Sequence, residues 1–364
     1  MKRILFISQY LNRGGTEAFM MNVFRGIDKC RFIIDFLLYS KQETDYSHEV
    51  EKNGGRIFRV TCRKESILAW HKELNSFFKI HAKEYHAIHF CGNSLTSIAP
   101  IYYAYKYGVP VRAVHAHSSS VKGLHNRLLH ILNRKYATKI STHHLACSIE
   151  AGQWFFNNTE AEIIKNGVET SHFAYNKSLR ERIRTELNIK KTTKVIGHVG
   201  RFSAEKNHSF IIDVFSAYNQ ANPNSQLVLI GIGPLLKDAE TKVKKLGIER
   251  NVLFLGERKD VAELMQAMDL FLMPSTFEGL PFVLVEAQCA GLPCVISDVI
   301  SNDIRITRNI VYQSLTNDKN AWAQTIKQTL SNFTREDTSS LITKAGYSIE
   351  STIKHLENIY DSIN

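Results

Sequence analysis

Two glutamates flank an apolar run in the C-terminal half of the chain, in the segment EGLPFVLVE at residues 278–286. Pro281 suits the first turn of a helix, so we predict a helix that begins near Gly279 and presents free backbone N–H groups to an anion such as phosphate. Eight residues of helix rise by roughly 12 Å, which lets Glu278 and Glu286 bind the two ends of one elongated ligand, such as a sugar and a ribose separated by diphosphate. The alternative is a helix capped by Glu278, with Glu286 on its solvated face.

Two cations lie in the loop GRFSAEKN at residues 200–207, after a predicted strand and before a helix that we predict to start near His208. The planar guanidinium of Arg201 can bind phosphate through two N–H groups, and Lys206 supplies a movable point charge. Together these cations would neutralise the negative charge that develops on a departing nucleotide. The alternative is that each is an ordinary surface cation.

Glycine pairs follow two other predicted strands. Gly231 and Gly233 lie in a tight turn, where the missing side chains allow a flat ring or a phosphate to approach the backbone. Gly14, Gly15 and Thr16 form a similar loop after the first strand. This loop lacks the third glycine of a dinucleotide fingerprint, and no Walker lysine follows it, which argues against nicotinamide chemistry and ATP hydrolysis.

A histidine doublet, His115 and His117, ends a predicted strand in the N-terminal half. An imidazole in this position can accept a proton from a reacting hydroxyl, or hydrogen-bond to it, near neutral pH. The alternative for His115 is a packed strand end, and 12 of the 15 histidines lie before residue 175, so the doublet is weak evidence by itself. The sequence has no D-x-D spacing and offers no further ligand, so we predict a site without metal.

Short β-rich runs alternate with longer helical patterns along the chain. The predicted strands are residues 3–8, 33–39, 56–60, 87–90, 111–115 and 144–147, followed by 194–199, 226–230, 252–255, 270–273 and 293–297. A polar stretch between the two sets places a domain junction near residues 166–190. The pattern predicts an α/β protein with two doubly wound parallel sheets, whose ligands bind at the carboxyl ends of the strands.

The length and composition are those of a folded protein with two domains. The chain has 364 residues, of which 44% are hydrophobic and 22% charged, and this length exceeds what one core usually serves. The apolar run after Met1 is interrupted too early for a signal peptide or a membrane span. Six cysteines without C-x-x-C spacing fit a reducing cytoplasm and do not fit a zinc site.

The positive charge is concentrated in the N-terminal half. Residues 1–175 contain 23 Lys and Arg against 14 Asp and Glu, within a chain of net charge +11. Nucleic acid, an anionic membrane and a phosphorylated acceptor are all compatible with such a field. Residues 124–140 form a basic amphipathic helix that either lies on an anionic membrane or, in the commoner use of amphipathicity, covers a sheet.

Taken in order, these motifs resemble family 4 of the retaining glycosyltransferases over nearly the full length of the chain. The matching segments are GGTE (14–17), NGV (166–168), GR (200–201), EKN (205–207), GxGP (231–234), FLG (254–256), the two-glutamate segment (278–286) and GxP (291–293). The resemblance implies the GT-B fold, in which two Rossmann-like domains face each other across a cleft. It also implies that a last helix, here about residues 347–363, crosses back to the N-terminal domain. The implied domains are residues 1–170 with 347–364, which bind the acceptor, and residues 171–346, which bind a nucleotide-sugar.

The resemblance also implies roles for residues of the C-terminal half. Arg201 and Lys206 would bind the donor diphosphate, Glu286 the ribose, and Glu278 would face the donor sugar. The remaining donor-binding residues are Gly231, Gly233, Gly279 and Leu280.

In the N-terminal half, the family's histidine near the reacting sugar falls on either His115 or His117, of which we favour His117. Gly14, Gly15 and Thr16 would lie beneath the phosphates or the acceptor, with Gly15 near the donor as well. The catalytic set implied by the resemblance therefore joins this histidine pair to the glutamate and the two cations of the donor site.

The mechanism implied by the resemblance is front-face attack, in which the leaving diphosphate helps to deprotonate the acceptor. The enzyme would need no metal and no cofactor, since the nucleotide-sugar, expected to be a UDP-sugar, is a substrate. The segment at residues 298–304 and the basic N-terminal half resemble the branch that builds bacterial capsular polysaccharide or exopolysaccharide on lipid-linked carriers. We therefore expect a cytoplasmic enzyme that visits the inner face of the plasma membrane and acts on a saccharide or lipid-linked acceptor, and we do not expect nucleic acid as a partner.

Two other functions fit the same motifs. A nucleotide-sugar epimerase of this architecture would use carboxylates as acid and base and would need no acceptor. A noncatalytic module would hold a nucleotide while its basic surface recruits a polyanion, and loss of Glu278 would then leave its role intact.

Overall fold

Parallel strands alternate with helices throughout the computed structural model, which describes residues 1–12, 14–157, 159–331 and 333–362. The chain divides into two compact units. The first unit comprises residues 1–167 and the chain from Ile349 onward, and the second comprises Val168–Ser348. Each unit has its own sheet, so each is described by itself.

The first unit contains a parallel sheet with strand order β3-β2-β1-β4-β5-β6-β7. Its strands are β1 (Lys2–Ser8), β2 (Phe32–Leu38), β3 (Ile57–Arg59), β4 (Ala87–Gly92), β5 (Val111–Ala116), β6 (His143–Ala146) and β7 (Glu162–Ile163). The helices between them are α1 (Gly15–Gly26), α2 (Ser47–Lys52), α3 (Ile67–His81), α4 (Ala99–Lys106), α5 (Leu124–Ile140) and α6 (Ile149–Phe156). Strand β1 has four consecutive apolar residues at zero exposure, Ile4 to Ile7, because helices cover both faces of the sheet.

The second unit repeats this architecture with strand order β10-β9-β8-β11-β12-β13. Its strands are β8 (Lys194–Val199), β9 (Ser225–Ile230), β10 (Val252–Phe254), β11 (Leu270–Met273), β12 (Cys294–Ser297) and β13 (Ile310–Gln313). Its helices are α7 (Thr170–Phe173), α8 (Lys177–Glu186), α9 (His208–Ala221), α10 (Leu236–Lys245), α11 (Val261–Ala267), α12 (Phe282–Cys289), α13 (Lys319–Ser331) and α14 (Ser339–Lys344). The prediction of two Rossmann-like α/β units is confirmed.

The C-terminal helix α15 (Ile349–Asp361) belongs to the first unit and packs beside α1. Leu356 and Tyr360 are fully buried in its core, and Ile353 would contact any side chain added at Gly26. The predicted last residue of this helix, Ile363, lies outside the described residues. This packing places Tyr360, close to the end of the chain, next to His89 of β4.

Eleven predicted strands are present, with bounds that agree to within two residues. The prediction missed β7 and β13, which are the last strands at one edge of each sheet. Strand β7 has two residues, and β13 has one buried residue of four, so neither has the continuous apolar run of a central strand.

Helix α5 covers the predicted range, but its apolar side chains point the other way. Its buried residues are His130, Ala137 and Ile140. The apolar stripe is exposed: Leu124 (87%), Leu128 (57%), Ile131 (45%), Leu132 (65%) and Tyr136 (43%). The interpretation that this stripe covers the sheet is therefore wrong. Among the described residues, no helix combines the length and apolar character needed to cross a bilayer.

Candidate active-site residues in each unit

The order of strands in the second sheet reverses between β8 and β11, so the loops after these two strands diverge and leave room for a ligand. The loop after β8 carries Lys206, and the loop after β11 carries Glu278. Lys206 Nζ lies 2.6 Å from Glu278 Oε1, and the two side chains are only 19% and 10% exposed. The fold thus pairs two residues that are 72 positions apart in the sequence.

Backbone hydrogen bonds fix these two loops against each other. The N–H of Thr276 donates to the carbonyl oxygen of Glu205 at 2.8 Å. Asn207 ends a short 3-10 turn in the left-handed conformation (φ 57°), and its side-chain amide donates to the carbonyl of Pro274 at 3.1 Å. Arg201, on the same loop, is exposed and available to a ligand. Arg201 and Lys206 therefore lie on a loop whose backbone is hydrogen-bonded to the loop after β11.

The glycines after β9 serve the packing of loops. A Cβ atom at Gly231 would lie 2.2 Å from the carbonyl oxygen of Gly200, and one at Gly233 would lie 2.5 Å from that of Phe202. The N–H of Phe202 donates to Ile232 at 3.0 Å, so the two loops run in direct backbone contact. Gly231 also has φ 138°, which side chains rarely adopt. These glycines bring the loop of Arg201 to its position, and the approach of a ring or phosphate to them stays a prediction.

The helix of the two-glutamate segment begins later than predicted. Helix α12 starts at Phe282, and Pro281 precedes it with ψ 100°. A proline disfavours helical conformation in the residue before it, which keeps Leu280 out of the helix. The predicted start near Gly279 is therefore wrong, and so is the spacing of Glu278 and Glu286 by eight residues of helix. A Cβ atom at Gly279 would meet nothing within 4 Å, so the backbone there borders open space.

Glu286 lies on α12 and is partly buried. Burial raises its pKa to about 7, so the carboxyl group is partly protonated at neutral pH. The alternative with Glu286 on a solvated face and Glu278 as the helix cap is wrong, since Glu278 pairs with Lys206 and no side chain caps α12. A carboxyl group in this state can hydrogen-bond to a ligand hydroxyl, and a donating hydroxyl would favour its ionised form.

His198 and His208 lie next to the Lys206 loop, and the sequence analysis did not predict them as residues of the site. His198 in β8 is fully buried, with Nδ1 2.8 Å from the carbonyl oxygen of Leu272, and its ring meets that of His208 edge-on at 4.8 Å. A Cβ atom at Gly200 would lie 2.9 Å from His198 Nε2. Burial lowers the pKa of His208 to about 4 and that of His198 well below its usual value, so both are neutral at pH 7. The available signal was a histidine two residues before the glycine that opens the loop.

In the first unit, the predicted doublet belongs to a larger histidine cluster. Tyr360 of α15 lies with Oη 2.6 Å from Nδ1 of His89, and His89 Nε2 lies 3.1 Å from Nδ1 of His115. The rings of His115 and His117 are 4.1 Å apart, and Phe19 packs against both. His115 is fully buried and His117 is partly buried. The structure does not decide which of the two contacts a substrate, and His117 stays the prediction.

The hydrogen bonds of this cluster have a preferred direction. Burial raises the pKa of Tyr360 well above its usual value, so the hydroxyl keeps its proton. If Tyr360 accepted from His89, two buried groups among the described residues would lack partners, the Tyr360 proton and the His115 Nε2 lone pair, whereas donation by Tyr360 leaves only one, His115 Nε2–H. Donation by Tyr360 makes His89 protonated at Nε2, which in turn makes His115 accept at Nδ1 and carry its proton on Nε2. His115 Nε2–H is then a buried donor, and no partner is found for it among the described residues.

The glycine loop of the first unit also has a defined place. Gly15 begins α1, and a Cβ atom at Gly14 would lie 2.4 Å from the Glu17 carboxylate. Thr16 and Glu17 line a cavity of about 910 Å³. Within the described residues, no cluster of three or more His, Cys, Asp or Glu side chains is arranged to hold a metal ion.

The direction of the hydrogen bonds from Tyr360 through His89 to His115 can be tested by NMR. Burial lowers the pKa of His89 and His117 to about 3 and that of His115 well below its usual value, so His89 and His117 stay neutral from pH 5 to pH 8 and His115 is neutral at pH 7. In ¹H–¹⁵N spectra of histidine-labelled protein, we expect His115 to be protonated at Nε2 throughout this range. Tyr360→Phe should give mixed tautomers at His89 and His115, whereas Tyr107→Phe, which removes a hydroxyl bonded to Asn75, should not. Titration of His115 within this range, or a proton on its Nδ1, would contradict this direction of the hydrogen bonds.

Comparison with known proteins agrees with these observations. Residues 179–345 match the family model described as glycosyl transferases group 1. The chain is 32% identical to a putative glycosyltransferase, EpsF, of Bacillus subtilis, over 99% of this chain and 96% of that protein. It is 30% identical to the UDP-Gal:alpha-D-GlcNAc-diphosphoundecaprenol alpha-1,3-galactosyltransferase of Escherichia coli, over 66% of this chain and 65% of that protein.

A solved structure shows the same fold. The crystal structure of Anabaena HepE in complex with UDP and glucose superposes with a TM-score of 0.80 at 19% identity, covering 100% of both chains. This likeness confirms the GT-B prediction for the two units. With the full-length match to EpsF, it establishes that the chain belongs to the group 1 glycosyltransferases.

Proposed function

We propose that the chain transfers a sugar, with retention of configuration, from a UDP-sugar to a hydroxyl group of a saccharide or lipid-linked acceptor. The observation that carries this proposal is the pairing of Lys206 with Glu278 where the strand order of the second sheet reverses. A cation for phosphate and a carboxylate for sugar hydroxyls lie side by side there. Open space at Gly279 borders the same loop.

The donor site uses cations of the protein on the diphosphate, and the proposal includes no metal or other cofactor. Lys206 has three N–H donors, so it can keep its bond to Glu278 and donate to a phosphate oxygen as well. Arg201 is exposed and adds a planar fork for a second phosphate. Glu286 accepts from the ribose, and Glu278 accepts from the donor sugar.

The reaction breaks the bond between the anomeric carbon and the phosphate oxygen of the donor. A new bond forms from that carbon to the acceptor hydroxyl oxygen, and the hydroxyl proton passes to the leaving diphosphate on the same face. Arg201 and Lys206 stabilise the charge that develops on this diphosphate. His117, the favoured one of the two neutral histidines, hydrogen-bonds to a reacting group without a change of charge.

The named relatives support the substrate classes. The E. coli protein is named for a UDP-sugar donor and a diphosphoundecaprenol-linked acceptor, and the HepE crystals contain UDP. A 100-residue stretch is 41% identical to a Vi polysaccharide biosynthesis protein of Salmonella typhi. We place the chain by analogy in the synthesis of bacterial capsular polysaccharide or exopolysaccharide.

Substitutions at Lys206, Arg201 and Glu278 separate UDP binding from sugar transfer. Lys206→Gln and Arg201→Gln should each weaken UDP binding by roughly 10- to 100-fold, the range expected for charge-assisted hydrogen bonds to phosphate. Glu278→Gln should retain UDP binding and lower the transfer rate by roughly 100-fold, because the donor sugar loses its orientation. Calorimetry with UDP and an assay of UDP release in the presence of acceptor measure the two effects.

Lys327→Gln is the matched control, since this exposed lysine lies on α13, away from the loops after β8 and β11. It should change neither binding nor transfer. Unchanged UDP affinity in both cation variants would remove Arg201 and Lys206 from the donor site.

The exposed stripe of α5 fits a membrane surface. Five apolar side chains of one helix face are in water, and the flanking residues include Arg127, Arg134, Lys135 and Lys139. The surrounding stretch, residues 85–149, contains seven Lys and Arg and no Asp or Glu. This combination of apolar surface and unbalanced positive charge is what an anionic bilayer attracts. The proposed location is the inner face of the plasma membrane, with peripheral attachment.

Vesicle flotation of the full chain tests this attachment. Binding should require anionic lipid and decrease with salt, because charge contributes to it. Leu128→Ser combined with Leu132→Ser should lower the partition coefficient roughly tenfold or more, since each leucine contributes on the order of 1.5–3 kcal/mol when buried. Leu341→Ser, at a 44% exposed leucine of α14, is the control. Equal binding to neutral and anionic vesicles, or no effect of the double substitution, would contradict membrane attachment through α5.

A further inference from the structure

Helix α5 turns a polar residue toward the first unit and its apolar stripe toward water. Within α5, which lies wholly in the described range 14–157, only His130, Ala137 and Ile140 are buried. His130 is therefore the one buried residue of the N-terminal half of the helix, residues 124–132. The contacts of His130 decide how this half is attached to the rest of the unit.

Both ring nitrogens of His130 are hydrogen-bonded. The N–H of Leu95 donates to Nδ1 at 2.9 Å, and Nε2 lies 2.9 Å from the carbonyl oxygen of Trp154. A backbone N–H can only donate and a carbonyl can only accept, so the neutral ring carries its proton on Nε2. Burial lowers the pKa of His130 by more than the bond to Trp154 raises it, so the ring is neutral at pH 7. His130 thus joins α5 to α6 and to the loop between β4 and α4.

Asn133, about one turn further along α5, bonds to the same residue of that loop. Its Nδ2 donates to the carbonyl oxygen of Leu95 at 2.8 Å. The amide and the carbonyl of Leu95 are therefore both bonded to side chains of α5, and the Leu95 side chain is itself fully buried. Because α5 holds Leu95 by both backbone groups, it determines the position of residues 93–98, which we call the β4–α4 loop.

The β4–α4 loop forms part of the wall of the cavity of about 910 Å³ in the first unit. The residues of this loop and of α5 that line the cavity are Asn93, Ser94, Thr96, Ser97 and Asn126. The cavity also borders Ser8 and Gly92, the last residues of β1 and β4, where the strand order reverses and parallel sheets bind their ligands. A displacement of Leu95 would therefore change the cavity wall on both sides of this residue.

The N-terminal half of α5 is weakly held apart from His130. Gly123 precedes the helix with φ 90°, and no side chain caps the first turn. Leu128 and Leu132 are 57% and 65% exposed. Helices in proteins are stable chiefly because an apolar face is buried, and segments with few buried contacts open more readily than the core. A bilayer that covers the apolar stripe would therefore stabilise this half of the helix.

We propose that His130, together with Asn133, is a positioning residue that couples the attachment of α5 to an anionic bilayer to the order of the β4–α4 loop. When lipid covers the apolar stripe, α5 keeps His130 beside Leu95, and the cavity wall is held in place. When α5 is in water, its N-terminal half opens more often and releases Leu95. This inference rests on the proposed function, because the membrane attachment and the acceptor bound by the first unit belong to it.

Hydrogen exchange in the full chain measures this coupling without a transfer reaction. Peptides that cover residues 92–98 are followed by mass spectrometry in buffer, with phosphatidylcholine vesicles, and with vesicles that also contain phosphatidylglycerol. The anionic vesicles should slow exchange in the loop by roughly threefold or more, since a bonded amide exchanges only when its segment opens. Peptides from α13, in the second unit, should exchange at the same rate in all three conditions.

Two substitutions of His130 separate its bond to Leu95 from the packing of its ring. In His130→Asn the amide oxygen takes the place of Nδ1 and can still accept from the Leu95 N–H. In His130→Gln the amide lies near the place of Nε2, so that acceptor is lost. Both variants lack the ring, so their free energies of unfolding should fall by similar amounts. Anionic vesicles should slow exchange in the loop of the Asn variant as in wild type, and should not slow it in the Gln variant.

His125→Gln is the matched control, because His125 is an exposed residue of the same helix. This variant should respond to anionic vesicles as wild type does. All of these variants should float with anionic vesicles, since each keeps the apolar stripe.

Two results would overturn the coupling. One is equal exchange in the loop with and without bound anionic vesicles. The other is slowing of the same size in His130→Gln, because the bilayer would then act on the loop without His130. If neither His130 variant folds, Asn133→Asp provides the test, since it removes the donor to the Leu95 carbonyl and should weaken the effect of the vesicles. An undiminished effect in that variant would also contradict the proposal.

Failure of the proposed function gives a different pattern. If α5 does not attach to membranes, the wild-type chain does not float with anionic vesicles, and the coupling fails with it. If the chain does not transfer sugars, it does not bind UDP-sugars, whereas the effect of vesicles on the β4–α4 loop is still measured.

Discussion

The ion pair between Lys206 and Glu278 connects the two loops that open where the second sheet reverses its strand order. Both side chains are largely removed from water, so removal of one partner leaves an uncompensated charge, and each depends on the other for its position. Other contacts hold the loops of the proposed donor site around this ion pair. The glycines after β9 let the neighbouring loops approach, and the bonds from Thr276 and Asn207 hold the backbone in place. A diphosphate that binds beside Lys206 would meet an ammonium group that the ion pair with Glu278 already holds in position.

The strand order of the first sheet also reverses, between β1 and β4. The C-terminal helix returns to this unit and places the Tyr360 hydroxyl against His89, whose second ring nitrogen lies beside His115. In the same unit, a cavity opens at the ends of β1 and β4. Its rim lies next to an exposed apolar helix face.

The sequence predicts the fold well, because the fold depends on local patterns. Apolar runs mark the buried central strands. The sequence also places Arg201 and Lys206 in the loop between a strand and a helix, where the structure has them. The start of α12 was placed too early because Pro281 was read only as a helix-starting residue, although it also keeps Leu280 extended. The exposed stripe of α5, the pairing of Tyr360 with His89 and the bond from Leu95 to His130 depend on contacts between distant segments. Periodicity shows that a helix has an apolar face, but it does not show whether a neighbour covers that face.

The central claim is that the second unit binds a nucleotide-sugar through protein cations. Calorimetric titration of the wild-type chain with UDP-, GDP- and ADP-sugars, in EDTA and again with added magnesium, tests this claim most directly. We expect one UDP-sugar to bind most tightly, with the same affinity in EDTA and in magnesium. Binding that requires magnesium would contradict the role assigned to Arg201 and Lys206, and the absence of binding across the panel would contradict the donor site itself.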